Sequence, residues 1–408
     1  MKINFITLGC KTNQYESEKM AKELADFGFD VGFGFDKADV FVVNTCSVTA
    51  EADKKSRQMV SKCGKFNKDA IILVCGCSSE NHKNQFVGKA NVKGVYGTLN
   101  KFEVVDFIKQ NFIPENNAKS LEFHARRYVK IQDGCNNFCT YCIIPYLRGR
   151  EKSREIADVV NEIKNLSKHC KEVVLTGINI SAYGRDIGTN LTNLIIALQN
   201  VDVRIRLGSL EARVIDENFL NACKNLKKFC PHFHLSMQSG SDSVLQKMNR
   251  HYTKQEFIEK VELIRKHFKN SFIACDLIVG FPTETQENFN ETLETVSKIK
   301  FSFMHIFPYS KRQGTIAATF PAVPAGEISC REKVLQQINE KSSKSYLKSM
   351  IGEKVEVLVE QCKNGQSEGF SREYVKCYFD GSFQVGDLVL AKIQSLKNDG
   401  VFAKICQK

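Results

Sequence analysis

The sequence has no apolar run that reaches the ~18 residues of a membrane-spanning helix. Its first residues, MKINFITLGCKTNQYES, read as a strand followed by a polar turn, without the apolar stretch and small-residue cleavage site of a secretory signal. A cytoplasmic protein without membrane association is expected. Neither a solenoid-type repeat nor a low-complexity segment interrupts the 408 residues, enough for two or three domains with cores of their own. The apolar share of 42% and charged share of 25% are ordinary for a soluble chain.

Cysteine, in contrast, is abundant. Sixteen of them in a reducing compartment argue against a disulfide framework and towards metal or cluster chemistry for some. Others read as small core hydrophobes: Cys170, Cys223 and Cys230 near helix ends, and Cys275 within FIACDLIVGFP. The net charge of +12 suits a polyanionic partner, most commonly nucleic acid. From Ile351 to Lys408 eight basic residues balance eight acidic ones, so the excess lies upstream.

Three stretches organise the chain. Residues 1–115 alternate apolar strands (INFITL, DVFVVN, AIILVC) with amphipathic helices near Glu16–Phe27, Ala50–Phe66 and Ser78–Val87, which predicts a parallel α/β domain with right-handed crossovers. Ile113–Ser120, IPENNAKS, reads as a linker. Residues 121–345 carry six further strand candidates, YVKIQ, EVVLTG, VRIRLGS, HFHLSMQ, FIACDLIVG and FSFMHIFPY. Helices such as Ile156–Leu166 and Gln255–Phe268 lie between them, so a partial (β/α)6 TIM-like barrel is expected, with its chemistry at the C-terminal strand ends. Residues 346–408 hold short alternating strands (KVEVLVEQ, YVKCYF, DLVLAKIQSL, GVFAKIC), a small all-β domain.

Directly after the first barrel strand stands QDGCNNFCTYCIIPYLRGR, with Cys135, Cys139 and Cys142 at spacing C-x3-C-x2-C. Iron–sulfur clusters usually take four thiolates; three leave one iron of a [4Fe-4S] cluster open to a ligand, by the logic of catalytic zinc sites. Zinc is the alternative, but no second cysteine pair or nearby histidine completes a zinc set, the next histidine being His169. Three more cysteines, Cys10, Cys46 and Cys77, each follow one of the apolar strands of the N-terminal stretch. In a parallel sheet those strand ends share one edge, so the three thiols are expected to converge; buried structural cysteines are the alternative.

The C-x3-C-x2-C run after a barrel strand, with Tyr141 before its last cysteine, resembles the radical S-adenosylmethionine (SAM) enzymes. With the N-terminal triad and a C-terminal β-domain similar to a TRAM domain, the whole chain resembles the radical SAM methylthiotransferases. The strings TLGCKTNQYES, ADKKSRQ, YCIIPYLRGREKSR, HFHLSMQSGSDSVLQKMNRHYT and HIFPYSKRQGTIAA look most like the branch acting on N6-threonylcarbamoyladenosine of tRNA. Other branches act on isopentenyladenosine tRNA or on an aspartate of a ribosomal protein, and a zinc-bound RNA-binding protein without catalysis is the non-enzyme reading. Two departures stand out: Cys75 occupies a place where threonine or alanine is expected, and GREKSR differs from the usual Arg-Gly-Pro-Ser-Arg-Ser.

The resemblance implies two [4Fe-4S] clusters. Cys135, Cys139 and Cys142 would hold the one that binds and cleaves SAM. Cys10, Cys46 and Cys77 would hold the one that presents sulfur, with Cys75 as a possible substitute ligand. The product would carry a methylthio group on C2 of adenine at tRNA position 37, in the anticodon loop. Tyr141, Gln238, Arg250 and the Gly280 backbone are the SAM-contact candidates. For RNA the candidates are Arg148, Arg150, Lys152 and Arg154 beside the cluster loop; Phe307, Tyr309, Lys311 and Arg312 after the last barrel strand; and Phe370, Arg372 and Tyr374 in the β-domain. A monomer, an electron donor such as flavodoxin and an unidentified sulfur donor complete the expectation.

Overall fold

A computed structural model describes residues 1–89, 91–114 and 125–406. Most of the expected linker, residues 115–120, lies outside the described residues.

The N-terminal sheet is parallel throughout, in the order β2-β1-β3-β4-β5. Its strands are β1 (Lys2–Thr7), β2 (Asp30–Phe33), β3 (Val40–Thr45), β4 (Ile71–Gly76) and β5 (Val92–Val95). Helices α1 (Lys11–Asp26), α2 (Ala50–Phe66), α3 (Cys77–Asn81) and α4 (Glu103–Asn111) connect and flank it. The central strand β3 is buried at every position, VFVVNT, as a strand covered on both faces must be. Two differences from the sequence reading have simple causes. Helix α1 begins at Lys11 rather than Glu16, because Cys10 turns straight out of β1 as its N-cap. The third helix ends at Asn81 instead of Val87, since NHKNQ offers no apolar face to bury and passes into a 3-10 turn at Lys83–Gln85.

The second unit is an open parallel barrel. Strands β6 (Arg126–Asp133), β8 (Glu172–Gly177) and β9 (Arg204–Leu207) form one sheet, with the two-residue β7 (Lys152–Ser153) antiparallel on its edge. The other sheet holds β10 (Ser209–Leu210), β11 (His232–Gln238), β12 (Phe272–Val279) and β13 (Phe303–Pro308). A bridge from Ile205 to Phe229 joins the two. Around the barrel run α6 (Ile156–Leu166), α7 (Leu191–Ala197), α8 (Glu217–Asn225), α9 (Asp242–Lys247), α10 (Lys254–His267) and α11 (Gln286–Ile299), while the short α5 (Ile144–Leu147) packs against α3 of the N-terminal domain. Capping boxes at Thr253/Glu256 and Thr285/Asn288 fix the starts of α10 and α11. The barrel does not close: β13 is an edge strand on which Phe303, His305 and Phe307 are exposed while Met304 is buried.

Helix α12 (Ala325–Ser349) leads from the barrel to a closed five-stranded barrel in the order β14-β15-β16-β18-β17. Its strands are β14 (Lys354–Lys363), β15 (Gln366–Ser371), β16 (Lys376–Asp380), β17 (Leu388–Lys397) and β18 (Gly400–Ile405). The expected boundary near residue 345 falls inside α12.

Candidate active site: two thiol triads at one joint

Strands β1, β3 and β4 are neighbours in the N-terminal sheet, and Cys10, Cys46 and Cys77 stand just past their C-terminal ends. The backbone there is locked by polar contacts. Asn13 donates to the carbonyls of Leu8 and Thr45 (2.8 and 3.0 Å), and Asn44 donates to the carbonyl of Asn13 and to Ser17 Oγ (both 3.1 Å). Thr45 Oγ1 donates to the carbonyl of Cys75 (2.7 Å). Gly9 lies so close to Cys46 that a Cβ on it would stand 2.6 Å from the Cys46 sulfur, and its φ is +90°. Gly76, φ +105°, would meet the Thr45 carbonyl at 2.6 Å. Glycine is therefore dictated at both turns.

The three thiols act on one another electrostatically. Burial raises the Cys46 thiol to about 11, with Cys10 and Cys77 adding to the rise. Burial also raises Cys77, opposed by the guanidinium of Arg148, which hydrogen-bonds it. Cys75 is wholly buried in the sheet core, and burial pushes its thiol to about 12. It packs among apolar side chains rather than standing at the strand end.

The second triad occupies the loop after β6. Gly134, φ +68°, opens that loop; a Cβ there would fall 1.9 Å from the carbonyl oxygen of Arg150. The Cys135 N–H donates to the carbonyl of Gly149 (3.1 Å), and that of Cys142 to Cys139 (2.9 Å). Donors surround the sulfurs: Asn137 N–H and Asn179 Nδ2 face Cys135 Sγ (3.5 and 3.9 Å), and Arg250 Nη1 faces Cys139 Sγ (3.5 Å). Burial raises Cys142 to about 12, with Cys139 and Cys135 acting the same way after it. Glu211, which the sequence reading missed, ties this loop together. Its carboxylate accepts from Asn137 Nδ2, Asn179 Nδ2 (3.5 Å), Arg250 Nη1 (3.5 Å) and Arg213 Nη2 (3.0 Å).

A cavity of about 290 Å³ opens at the C-terminal strand ends of the barrel, against the segment that follows Cys46. Val48 and Thr49, just after Cys46, form one wall. Tyr141, Gln238, Asp276, Ile278 and Phe307–Ser310 form the other. Gln238, φ +65°, closes β11. Arg250 sits at the Cys139 sulfur and also donates to the carbonyl of Ser236 (3.2 Å). The Gly280 N–H donates to Glu284 Oε2 (2.9 Å), which Arg331 holds from α12 at 2.9 Å.

The RNA candidates divide sharply. Arg150 and Lys152 are exposed, Arg150 lying over the Phe138 ring at 4.4 Å. Phe307 is 45% exposed at the cavity, Tyr309 lines it, and Lys311 is exposed. Arg154 is held by Glu162 at 2.6 Å. Arg148 and Arg312 are not free for phosphate. Arg148 is buried across the joint, donating to Asn13 Oδ1 (2.6 Å), Glu16 (3.0 and 3.1 Å) and Asp133 (3.1 Å). Arg312 is buried against Ser47 Oγ (2.8 Å) and Asp53 Oδ2 (2.5 Å). Both clamp the barrel to the N-terminal sheet. Phe370, Arg372 and Tyr374 are likewise used up, in docking the small barrel to the starts of the large barrel's strands. Tyr374 stacks on His232 (4.5 Å) and on Phe370 (4.7 Å), and Arg372 Nη2 donates to the carbonyl of Phe229 (2.6 Å). That end is opposite the cysteine loops.

Residues 129–296 match the Radical SAM superfamily model, and residues 2–97 match the model described as uncharacterized protein family UPF0004. The chain is 34% identical to the threonylcarbamoyladenosine tRNA methylthiotransferase MtaB of Aquifex aeolicus, over 95% of this chain and 99% of that one. The chain belongs to the radical SAM methylthiotransferase family. It is also 35% identical to a tRNA-2-methylthio-N(6)-dimethylallyladenosine synthase of a Thermoanaerobacter species, over 87% of this chain and 81% of that one. Among solved structures, the radical SAM methyltransferase TsrM of Kitasatospora setae superposes with a TM-score of 0.55 at 14% identity, covering 78% of this chain and 74% of TsrM. That likeness extends to the fold.

Methylthiotransferases use SAM and [4Fe-4S] clusters, and the donor sets fit. Each triad is three free thiols within electrostatic reach of one another. Among the described residues, no three His, Cys, Asp or Glu side chains stand close enough to share a single metal ion. In an iron–sulfur cluster each thiolate binds an iron of its own, so no single shared ion is required of either triad. Raised thiol pKa values mean that cluster loading releases protons at both sites. Gly134→Ala is expected to lose only the iron held beside the barrel, about half the total, because the new Cβ displaces the loop; iron and sulfide assay of anaerobically reconstituted protein measures this.

Proposed function

We propose that this methylthiotransferase adds a methylthio group to C2 of N6-threonylcarbamoyladenosine at position 37 of tRNA, with one cluster on Cys135, Cys139 and Cys142 and a second on Cys10, Cys46 and Cys77. The observation that carries the reading is a cavity with a wall from each half of the molecule: the segment after Cys46 on one side, and on the other the strand ends around Tyr141, the neighbour of Cys142. A base held there would lie against the segment that follows Cys46 and against Tyr141, next to Cys142. The clusters and SAM supply the radical and the sulfur. The chain's own residues orient them: Asn179 and Arg250 face the cluster sulfurs, Tyr141 and Gln238 line the space above, and Arg148 and Arg312 fix the two walls in register. The match along nearly the whole of the Aquifex relative supports the threonylcarbamoyladenosine substrate. A flavodoxin-type electron donor and a monomeric state belong to the same reading.

The net charge finds a surface in α2, which leads away from Cys46. Lys54, Lys55, Lys62 and Lys65 are exposed on it, joined by Arg57, Lys68 and Lys89. Such a face can follow a phosphate backbone out of the cavity. Reversing Lys54, Lys62 and Lys65 to glutamate is expected to weaken tRNA binding at least about tenfold and to flatten the salt dependence of log K by roughly 2–3 units of slope, with SAM cleavage in the absence of tRNA unaffected. Fluorescence anisotropy across a salt series reads both.

The deciding experiment is anaerobic turnover with SAM, reductant and tRNA carrying adenosine, isopentenyladenosine or threonylcarbamoyladenosine at position 37. Mass spectrometry of the digested nucleosides should find the methylthio product from the last alone. Product from the isopentenyl tRNA alone would move the chain to the other tRNA branch.

A further inference from the structure

Arg148 stands at the end of α5, in the segment that meets both cysteine groups. Its neighbour Leu147 and the residue after Cys142, Ile143, pack on Cys77. Its own guanidinium donates to Asn13 Oδ1 (2.6 Å). Asn13 Nδ2 in turn holds the carbonyls of Leu8 and Thr45 (2.8 and 3.0 Å), in the turns that carry Cys10 and Cys46. The Arg148 side chain is 2% exposed, and among the described residues its Nε has no hydrogen-bond partner. Arg148 is thus joined to the setting of all three N-terminal thiols, with a donor to spare.

The charges at this joint do not cancel. Lys101 (2.6 Å), Lys130 (2.8 Å) and Arg148 (3.0 Å) all reach Glu16, and Lys130 (2.8 Å) and Arg148 (3.1 Å) also reach Asp133. Among the described residues, three cations share two carboxylates, and Lys101, Arg148 and Glu16 are buried. On the other side of Cys46, Arg312 and Asp53 match one to one. A buried charge left without a counter-ion is costly, so the surplus marks a place for an anion. Three thiolates outweigh the usual core charge of a [4Fe-4S] cluster by about one negative charge, equal and opposite to that surplus.

We propose that Arg148 is the counter-charge of the N-terminal site, a positioning residue whose guanidinium offsets the negative charge of a three-thiolate cluster on Cys10, Cys46 and Cys77 and sets its reduction potential. This rests on the two-cluster reading above. Cluster potentials follow net charge, hydrogen bonds to the sulfurs and burial, and water screens a charge weakly at a buried joint. The surplus favours the more negative, reduced state, so the cluster accepts an electron more readily than its thiolates alone would allow. Since Arg148 belongs to the barrel side, the N-terminal site gains this property only where the barrel is docked on it.

The test uses the full-length chain with Cys135, Cys139 and Cys142 replaced by alanine and reconstituted anaerobically, so that a redox titration followed by electron paramagnetic resonance reads the N-terminal cluster alone. Arg148→Met should disfavour reduction about tenfold or more, a fall in midpoint of at least about 59 mV for one electron. Arg148→Lys should recover most of that loss. Asp133→Asn enlarges the surplus and should shift the midpoint the other way, by about threefold or more in the same equilibrium. A purely structural role would not give opposite signs for two members of one ion-pair network. If the two variants shift the midpoint in the same direction, or neither moves it by about threefold, the inference is overturned while the two-cluster reading stands. If Arg148→Met holds no iron, Asp133→Asn decides: a midpoint that does not rise overturns the inference. A parent protein that binds no iron in this background rejects the second cluster itself.

Discussion

Cys46→Ala is expected to abolish methylthiolation, by about a thousandfold or more, while reductive SAM cleavage continues at near wild-type rate. Cys135→Ala is expected to stop both. The contrast follows from geometry. Cys46 stands past β3 with Cys10 and Cys77, and the cavity wall that follows it, Val48 and Thr49, faces the one that carries Tyr141. Losing it empties one site without touching the loop after β6, whose contacts come from Gly149, Asn179, Glu211 and Arg250. Each variant should fall from about eight to about four irons per chain. The measurements are 5′-deoxyadenosine release, methylthio product and iron content on the same preparations. Wild-type protein that saturates at about four irons would defeat the two-cluster assignment.

Glu172→Gln is expected to be the most damaging substitution outside the site, costing about 3–5 kcal/mol. Glu172 is fully buried and holds Arg206 at 2.7 Å, with Arg204 and Arg126 at 3.6 and 3.7 Å. Arg206 in turn donates to the carbonyls of Ser371 (3.2 Å) and Arg372 (3.1 Å), and Arg204 meets Glu356 at 3.0 Å. Removing the one carboxylate at the centre leaves three buried guanidinium groups to repel one another across the seam with the small barrel. Burial by itself would raise the Glu172 pKa, but Arg206, Arg126 and Arg204 outweigh it and bring it to about 2. A carboxylate depressed in the folded state stabilises fully above its unfolded value, about 4.3, and loses that contribution as pH falls through the folded value. Wild type should therefore lose stability steeply between about pH 5 and pH 2, and Glu172→Gln should show a shallower slope over that window. Urea midpoints across a pH series test both.

The barrel was legible because buried parallel strands are apolar and β-branched on both faces, and EVVLTG and FIACDLIVG say so without help. The edge strands were not. β2 (DVGF), β5 (VKGV) and β15 (QSEGFS) are short, polar or glycine-bearing, and only backbone pairing with a neighbour makes them strands. The sequence marks Cys10, Cys46 and Cys77 because each stands just past a strand end, and Cys135, Cys139 and Cys142 because of their spacing in one loop. The basic residues misled because their partners are remote in sequence. Arg148 in YLRGREKSR looks like a solvated turn until Glu16, 132 residues away, is brought beneath it. Arg312 is matched with Asp53 across 259 residues. Glu211 escaped for the same reason: a single charge after a short strand carries no periodicity, and its partners Asn137, Asn179 and Arg250 come together only in the folded barrel.

The bare rim of β13 is sealed by the chain itself. Asn339 of α12 accepts from the Met304 N–H (2.8 Å) and donates to its carbonyl (3.0 Å), doing for that rim what a neighbouring strand would do. A side-chain amide cannot be extended into a further strand, so the open barrel is guarded there against joining edge to edge with a second copy.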